Sequence, residues 1–396
     1  MNENKIPSDK NEELPLAGIV VLDFSQFLAG PSCALRLADL GARVIKVERP
    51  DGGDACRSLI VANQTHDGDS ALFHTINRNK QSYSADLKNP ADLANIKKLL
   101  QIADVMIHNF RPGVMQRIGL DYDSVRSINP RLIYGEISGY GDEGPWRDKP
   151  GQDLLVQSLS GLAWLSGNAN DGPVPAGLSI IDLMTGAHLA QGIMGALLKQ
   201  ARTGAGTRIT VSLLESAMDL QFEPFTAFLN SDGRQPVRST VNHANVHTAA
   251  PYGIYQTADG YLALAMTPLD KLGSLIGCAT LAEQAKDPAS WFDQRDYYKR
   301  ILADHLSTQD TTHWLSILEP EGIWCAPVQN WPELIKHQGF KTLDVVQTIT
   351  ATSGASMKTT RCPIRIDGKI LTCERPAPKL GADNAEIDTL LANSAT

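Results

Sequence analysis

Short apolar runs alternate with stretches of helical period through the first half of the chain. Residues 18–24 (GIVVLDF) are apolar almost throughout, which suits a strand covered on both faces. Residues 31–40 predict a helix, with Pro31 at its start and Gly41 as its stop. Residues 43–48 (RVIKVE) predict a second strand, 90–102 a helix, 104–108 (DVMIH) a strand and 131–137 (RLIYGEI) another. Next, the run GNANDGPVPAG at 167–177 can continue neither element. A helix over about 183–201, a strand over 208–212 and a helix from about Leu213 follow. Short apolar strands separated by helices predict an α/β fold, a Rossmann-like domain on a mostly parallel sheet.

The pattern changes after residue 229. Residues 230–250 are polar and irregular and predict a linker. Residues 252–256 and 261–265 flank Ala258-Asp259-Gly260 and predict a hairpin. Helical period then runs to about Gly322, so a smaller α+β unit follows the large one. From 331 the chain has strand-like pieces at 345–349 and 364–367 and closes on a helix. The predicted divisions are 14–229, 230–330 and 331–396. There is no internal repeat.

A length of 396 residues suits two or three domains at roughly 150 residues each. The net charge is 36 − 44 = −8, which argues against nucleic acid as the main partner. The six cysteines show no CxxC or zinc-like spacing, so no metal site is expected. Few cysteines and no signal-peptide pattern lead to the expectation of a reducing, cytoplasmic compartment. The first fifteen residues are polar and predict a frayed tail. The most apolar run, 184–198, is too short for a membrane span and carries His188 and Gln191, so no membrane is expected.

Candidate chemistry is sparse. Gly139-Tyr-Gly141-Asp-Glu-Gly144 fits GxGxxG, but it follows a late strand and runs into Pro145 and Lys149-Pro150-Gly151. No helix opens there to receive a pyrophosphate, so it reads as a glycine turn. The first strand-to-helix turn, Ser25 to Pro31, offers small Ala29 and Gly30 where a ligand could approach, or is an ordinary turn. Asp182 falls at the start of the helix over 183–201. It is either a plain N-cap or a carboxylate ionised at pH 7 and suited to nucleophilic attack. Lys46, Arg49, Arg78, Lys80, Lys88, Arg111 and Arg117 concentrate in the first third and read by default as a solvated face. His108 and His188 are candidates for the pocket or the core, with a satisfied core histidine the default reading.

With these residues in view, the chain resembles the class III CoA-transferases, the group of formyl-CoA transferase and crotonobetainyl-CoA:carnitine CoA-transferase; α-methylacyl-CoA racemase shares their fold. The resemblance runs from Leu16 to about Asp388. It is carried by LAGIVVLDFSQFLAGP, LADLGARVIKVERPDGGD, NRNKQS, ADVMIHNFRPG, NPRLIYGEISGYGDEGP, GQDLLVQSLSG, IDLMTGAHLAQGI and GIWCAPV, in order. It implies an enzyme that moves CoA from an acyl-CoA to a carboxylic acid, with no tightly bound cofactor. It implies Asp182 as covalent nucleophile, passing through an aspartyl anhydride and an aspartyl-CoA thioester. It also implies an interlocked homodimer, with the 331–396 segment returning to the large domain.

By the same resemblance, Gln26, Leu28, Ala29, Arg49, Ala85, Asp86, Leu87, Lys88, Asn109, Phe110 and Arg117 match CoA contacts. Gln152 and His247 are weaker candidates for the substrate pocket. Two departures count against a formyl/oxalate activity. Leu28 stands where formyl-CoA transferase has Gln, and the chain lacks that enzyme's glycine-rich active-site loop, the stretch 242–250 being the candidate to stand in its region. Lys149 is the nearest match to the family's CoA lysine. The racemase reading is the alternative. That enzyme places an acid/base His 30 residues before its essential Asp, and here Gln152 holds that place before Asp182. Gln exchanges no proton near neutral pH, which favours the transferase.

Overall fold

The structure is a computed structural model that describes residues 13–351, 353–373 and 375–393. The expectation of a frayed tail falls mostly on 1–12, outside these residues. The chain divides into two compact units. One comprises Met1–Val156, Ser179–Ala217 and Thr342–Thr396; the other Gln157–Leu178 and Met218–Lys341.

The larger unit is built on a six-stranded parallel sheet. Its spatial order is Lys80–Ser84, Arg43–Glu48, Val20–Asp23, Val105–His108, Ile133–Ser138, Thr207–Ser212. Numbered along the chain, that order is 3-2-1-4-5-6, the doubly wound arrangement in which ligands gather where the order reverses. The reversal lies between Val20–Asp23 and Val105–His108, which pair directly. Leu22, Ile45, Tyr83, Met106 and Tyr134 form the core on one face with Ile96, Leu99 and Leu100 of helix Pro90–Ile102. Helix Ile180–Thr203 covers the other face: Leu189 and Ile193 pack on Gly135, where a Cβ would lie 3.2 Å and 3.3 Å from their methyls. The C-terminal segment completes the unit. Helix Asn384–Asn393 buries Ile387 and Leu391 in the core, and Asp383 and Asn384 accept from the Ser82 and Ser84 amides at 2.7 and 2.8 Å.

The smaller unit has a three-stranded antiparallel sheet in the order Cys325–Pro327, Tyr261–Leu264, Gly253–Gln256. Tyr255, Leu262 and Leu264 pack there against Leu269, Leu272, Leu302, Leu306 and Trp314 of its helices.

Several expectations are corrected. The divisions at 230 and 331 shift, and 157–178 leaves the large unit. The reason is side-chain anchoring: Arg238 donates to the carbonyls of Asp171 (2.8 Å) and Gly172 (3.2 Å), and His243 meets Leu165 O at 3.1 Å. The stretch read as a linker is likewise pinned, with buried Lys299 donating to Asn242 O at 3.0 Å and buried Arg295 to Val246 O at 3.0 Å. Lys80–Ser84 is an edge strand of the six-stranded sheet that its polar sequence concealed. Helix Ile180–Thr203 has 24 residues and is, by length and composition, apolar enough to cross a membrane, unlike the shorter run read from sequence. It packs as a core helix, burying Ile181, Thr185, Gly186, Leu189 and Ile193.

Candidate active site

Asp182 is the third residue of helix Ile180–Thr203, so the N-cap reading does not hold. Ser179 is the N-cap and makes no side-chain cap bond. A residue far back in sequence does that work. Buried Asp153, first residue of helix Asp153–Leu159, accepts from the backbone N–H of Ile181 (2.8 Å) and of Asp182 (3.0 Å) through Oδ2. These are the orphan donors of a helix start.

The consequence for Asp182 reverses the expectation of a fully ionised carboxylate. Burial, reinforced by the negative charge of Asp153, pushes its pKa up to about 7. Its anion is therefore half formed near neutrality and more basic than an ordinary aspartate, which strengthens it as a nucleophile.

Asp182 is brought to the first strand-to-helix turn by close helix packing. A Cβ on Gly186, one turn after Asp182, would lie 2.6 Å from the Ala29 carbonyl oxygen. Only glycine lets helix Ile180–Thr203 approach the start of helix Ala29–Asp39 so closely. That start has no side-chain cap at Leu28.

Within the larger unit a cavity of about 710 Å³ opens at the sheet's carboxyl end, beside the reversal point. Of the residues expected from sequence, Leu28, Ala29, Asn109, Phe110, Arg117, Gln152 and Asp182 line it. Four basic side chains, Arg111, Arg117, Arg147 and Lys149, face Asp148 and Asp182 there, so the cavity is net cationic in a chain of net charge −8. Leu59, Leu72, Val114 and Leu213 add apolar wall. Asn109 also braces the turn behind the cavity, where its side-chain amide accepts from Gln26 N–H at 2.8 Å and donates to Gln26 O at 2.7 Å.

The other expected residues lie elsewhere. Gln26 is half-buried behind the turn and absent from the lining. Exposed Arg49 donates to Gly53 O at 3.0 Å. Ala85, Asp86, Leu87 and Lys88 follow strand Lys80–Ser84, and Ala85 N–H donates to Glu48 O at 2.8 Å, so they share the sheet end with Arg49. Ala85 is buried and Lys88 exposed. His247 belongs to the smaller unit, where Nε2 lies 3.3 Å from Pro224 O.

The solvated-face reading of the early basic residues is also corrected. Lys46, Arg78 and Lys80 are buried and paired with carboxylates: Lys46 with Asp54 at 2.8 Å, Arg78 with Asp39 at 2.5 Å, Lys80 with Asp23 at 2.9 Å. Burial opposes the charge on Lys46, but Asp23, Asp54 and Glu48 outweigh it and hold its pKa above the usual lysine value. His108 is buried and bonds Tyr134 Oη through Nε2 at 2.9 Å; it lines a cavity of about 280 Å³ that adjoins the main one through Phe110, Arg111 and Arg147. The glycine turn at 139–144 does precede a loop, and its successor Arg147 lines the main cavity. Arg147 and Phe27 were missed from sequence; a basic run after a glycine turn was the available signal. Among the described residues, no three His, Cys, Asp or Glu side chains converge as metal ligands.

The fold and the cationic cavity, with a carboxylate on a helix start at its wall, make an α/β site suited to a phosphorylated ligand. Residues 16–384 match the model of CoA-transferase family III, and the chain belongs to that family. It is 33% identical over 389 residues to a succinate–glutarate CoA-transferase from Agrobacterium fabrum, covering 95% of this chain and 96% of that one. It is 29% identical over 388 residues to the Homo sapiens succinyl-CoA:glutarate CoA-transferase, covering 96% and 86%. Among solved structures, a CAIB/BAIF family protein from Brucella suis matches with a TM-score of 0.82 at 31% identity, over 96% of this chain and 99% of that one.

Proposed function

We propose that this CoA-transferase moves CoA between short dicarboxylic acids by covalent catalysis on Asp182. The observation that carries the reading is a half-buried carboxylate in a helix's first turn, facing a cavity otherwise rich in arginine and lysine. The carboxylate attacks the thioester carbonyl of an acyl-CoA, giving an aspartyl anhydride and CoA thiolate. The thiolate attacks the aspartyl carbonyl, releasing the donor acid and leaving an aspartyl-CoA thioester. The acceptor carboxylate attacks that thioester, forming a second anhydride and freeing the thiolate again. Attack of the thiolate on the acceptor's carbonyl yields the new acyl-CoA and restores Asp182. Each step breaks one acyl bond and makes another, and no net proton moves.

The residues have distinct roles. Arg117 and Lys149 suit the phosphates of CoA, since charge-assisted hydrogen bonds to phosphate are strong. Arg49 and the 85–88 segment, at the same sheet end, suit the adenosine. Leu28 gives the acyl group an apolar neighbour. The dicarboxylate preference rests on the names of the two relatives and on the cations beside the apolar wall. Gln152 lines the cavity where a racemase needs a second acid/base group, and its amide supplies none.

We propose a homodimer as well. Leu198 is 69% exposed on one unit, and Phe222 at 69%, Leu229 at 63% and Trp331 at 82% on the other, an apolar outlay that suits burial against a second copy. Interlocked chains would stay dimeric at nanomolar dilution; folded monomer in sedimentation would refute this.

The function is tested by CoA transfer from succinyl-CoA to a panel of dicarboxylates. Wild type is expected to form new acyl-CoA, and Asp182→Asn to bind CoA without transfer. Transfer by Asp182→Asn at the wild-type rate would overturn the reading.

A further inference from the structure

The turn between strand Val20–Asp23 and helix Ala29–Asp39 is held at successive backbone groups by buried or half-buried side chains. Ser25 N–H donates to Asp23 Oδ1 at 3.0 Å, and Ser25 O accepts from Lys46 Nζ at 2.8 Å. Asn109 closes on both polar groups of Gln26. Phe27 N–H donates to Asp54 Oδ1 at 3.2 Å, and Pro31 O accepts from Lys80 Nζ at 2.9 Å. Lys46 and Asp54 are paired to each other, with side chains 0% and 1% exposed.

At the centre of this turn Phe27 has a φ of 65°. A bulky L-residue rarely adopts that conformation, because its Cβ crowds the backbone. Such strain persists only where the surroundings over-determine it, and it collects at functional sites. Here the strained residue is half exposed and lines the cavity. Directly after it, Leu28 and Ala29 open a helix with no side-chain cap at the cavity wall. A fold needing only stability could fill this space with apolar groups, since a buried ion pair often gains nothing over them. These ions are instead aimed at backbone groups: Lys46 at Ser25 O, and Asp54 Oδ1 at the Phe27 amide and, at 2.9 Å, at the Cys56 amide of the short helix Ala55–Arg57 that it caps.

We propose that the Lys46–Asp54 pair is a positioning device for CoA transfer. Lys46 fixes the Asp54 carboxylate beneath the Phe27 amide. The carboxylate holds Phe27 in its left-handed conformation, and that conformation sets the uncapped helix start where the reacting thioester lies. Neither residue touches substrate. The proposal rests on the assignment of the cavity above and adds to it two residues to which the sequence analysis gave no role in the site.

The test is a double-mutant cycle of Asp54→Ala and Phe27→Gly, with Asp54→Asn as the conservative variant. Each protein is assayed for kcat and KM with succinyl-CoA, for free CoA affinity by calorimetry and for thermal midpoint. Asp54→Ala is expected to lower kcat by about 10- to 100-fold, the cost of a small misplacement of reacting groups. KM and CoA affinity are expected to stay within about two-fold, because the groups lost act on the reacting end. Asp54→Asn, which keeps an acceptor for the Phe27 amide, is expected to retain most of kcat. In the Phe27→Gly background, Asp54→Ala is expected to cost far less, because glycine takes a positive φ unaided. A general loss of stability would not give that selective rescue. Equal cost of Asp54→Ala in both backgrounds, or an unchanged kcat, overturns the proposal alone. A wild type that neither binds CoA nor transfers it overturns the functional reading and this proposal with it.

Discussion

Replacing Asp182 by Asn should make the folded protein more stable in mild alkali and leave its stability unchanged in acid. Burial and Asp153 raise the folded-state pKa from 3.8 to about 7. Below the unfolded value the carboxyl is protonated in both states and contributes no difference. As pH rises towards the folded value, the unfolded chain releases the proton while the folded one keeps it, so stability falls with pH. Above the folded pKa the full cost stands, about 4 kcal/mol for a shift of this size at 1.36 kcal/mol per unit. Asn has the same shape and no charge to desolvate. Urea unfolding of wild type and Asp182→Asn, at steps from about pH 4 to about pH 8, measures the difference directly. The expected curve is near zero in acid, rises through the intermediate range and levels off above neutrality, with Asn the more stable. A pH-independent difference, or a wild type more stable than Asp182→Asn at about pH 8, would refute the electrostatic argument.

Other consequences follow from the same geometry. Asp153→Asn keeps an acceptor for the helix amides but removes the charge beside Asp182, so the acid limb of kcat/KM for the acyl-CoA, set near neutrality in wild type, should move to lower pH; a pH–rate profile checks this. Gly186→Ala puts a methyl 2.6 Å from the Ala29 carbonyl oxygen and should cost about 1–3 kcal/mol in unfolding experiments, with a loss of kcat as Asp182 shifts from the turn. Arg117→Gln should raise KM for acyl-CoA about ten-fold with kcat little changed, since it removes binding common to ground and transition states. Lys46→Met leaves Asp54 buried without its counter-ion and should destabilise the protein by about 3–5 kcal/mol, read as a lowered thermal midpoint.

The fold was legible where the chain buries itself by its own apolar pattern. Val20–Asp23, Val105–His108 and Ile133–Ser138 are largely apolar, and their burial follows directly; Arg43–Glu48 shows its strand through Val44, Ile45 and Val47, while its buried Lys46 and Glu48 need Asp54 and Arg57. Strand Lys80–Ser84 was not legible, because its residues are polar and become buried only through distant partners. Lys80 needs Asp23, Gln81 meets Arg43 Nε at 2.6 Å, and Ser82 bonds Glu48 at 2.8 Å. No local period encodes such a strand. Asp182 stood out in sequence through the motifs around it, but its state did not. Its raised pKa comes from burial in the folded unit and, after that, from Asp153, which arrives from 29 residues earlier to occupy the helix start. The same holds for Asn109: sequence marks the position, while its clamp on Gln26 is a tertiary fact.

The proposed transfer turns on Asp182 carrying CoA covalently. Intact-mass measurement of the protein after incubation with succinyl-CoA tests it most directly, with Asp182→Asn alongside. Wild type is expected to show a CoA-sized adduct that hydroxylamine removes and that Asp182→Asn never forms. An adduct of the same mass on Asp182→Asn, or none on a wild type that is turning over, would contradict it.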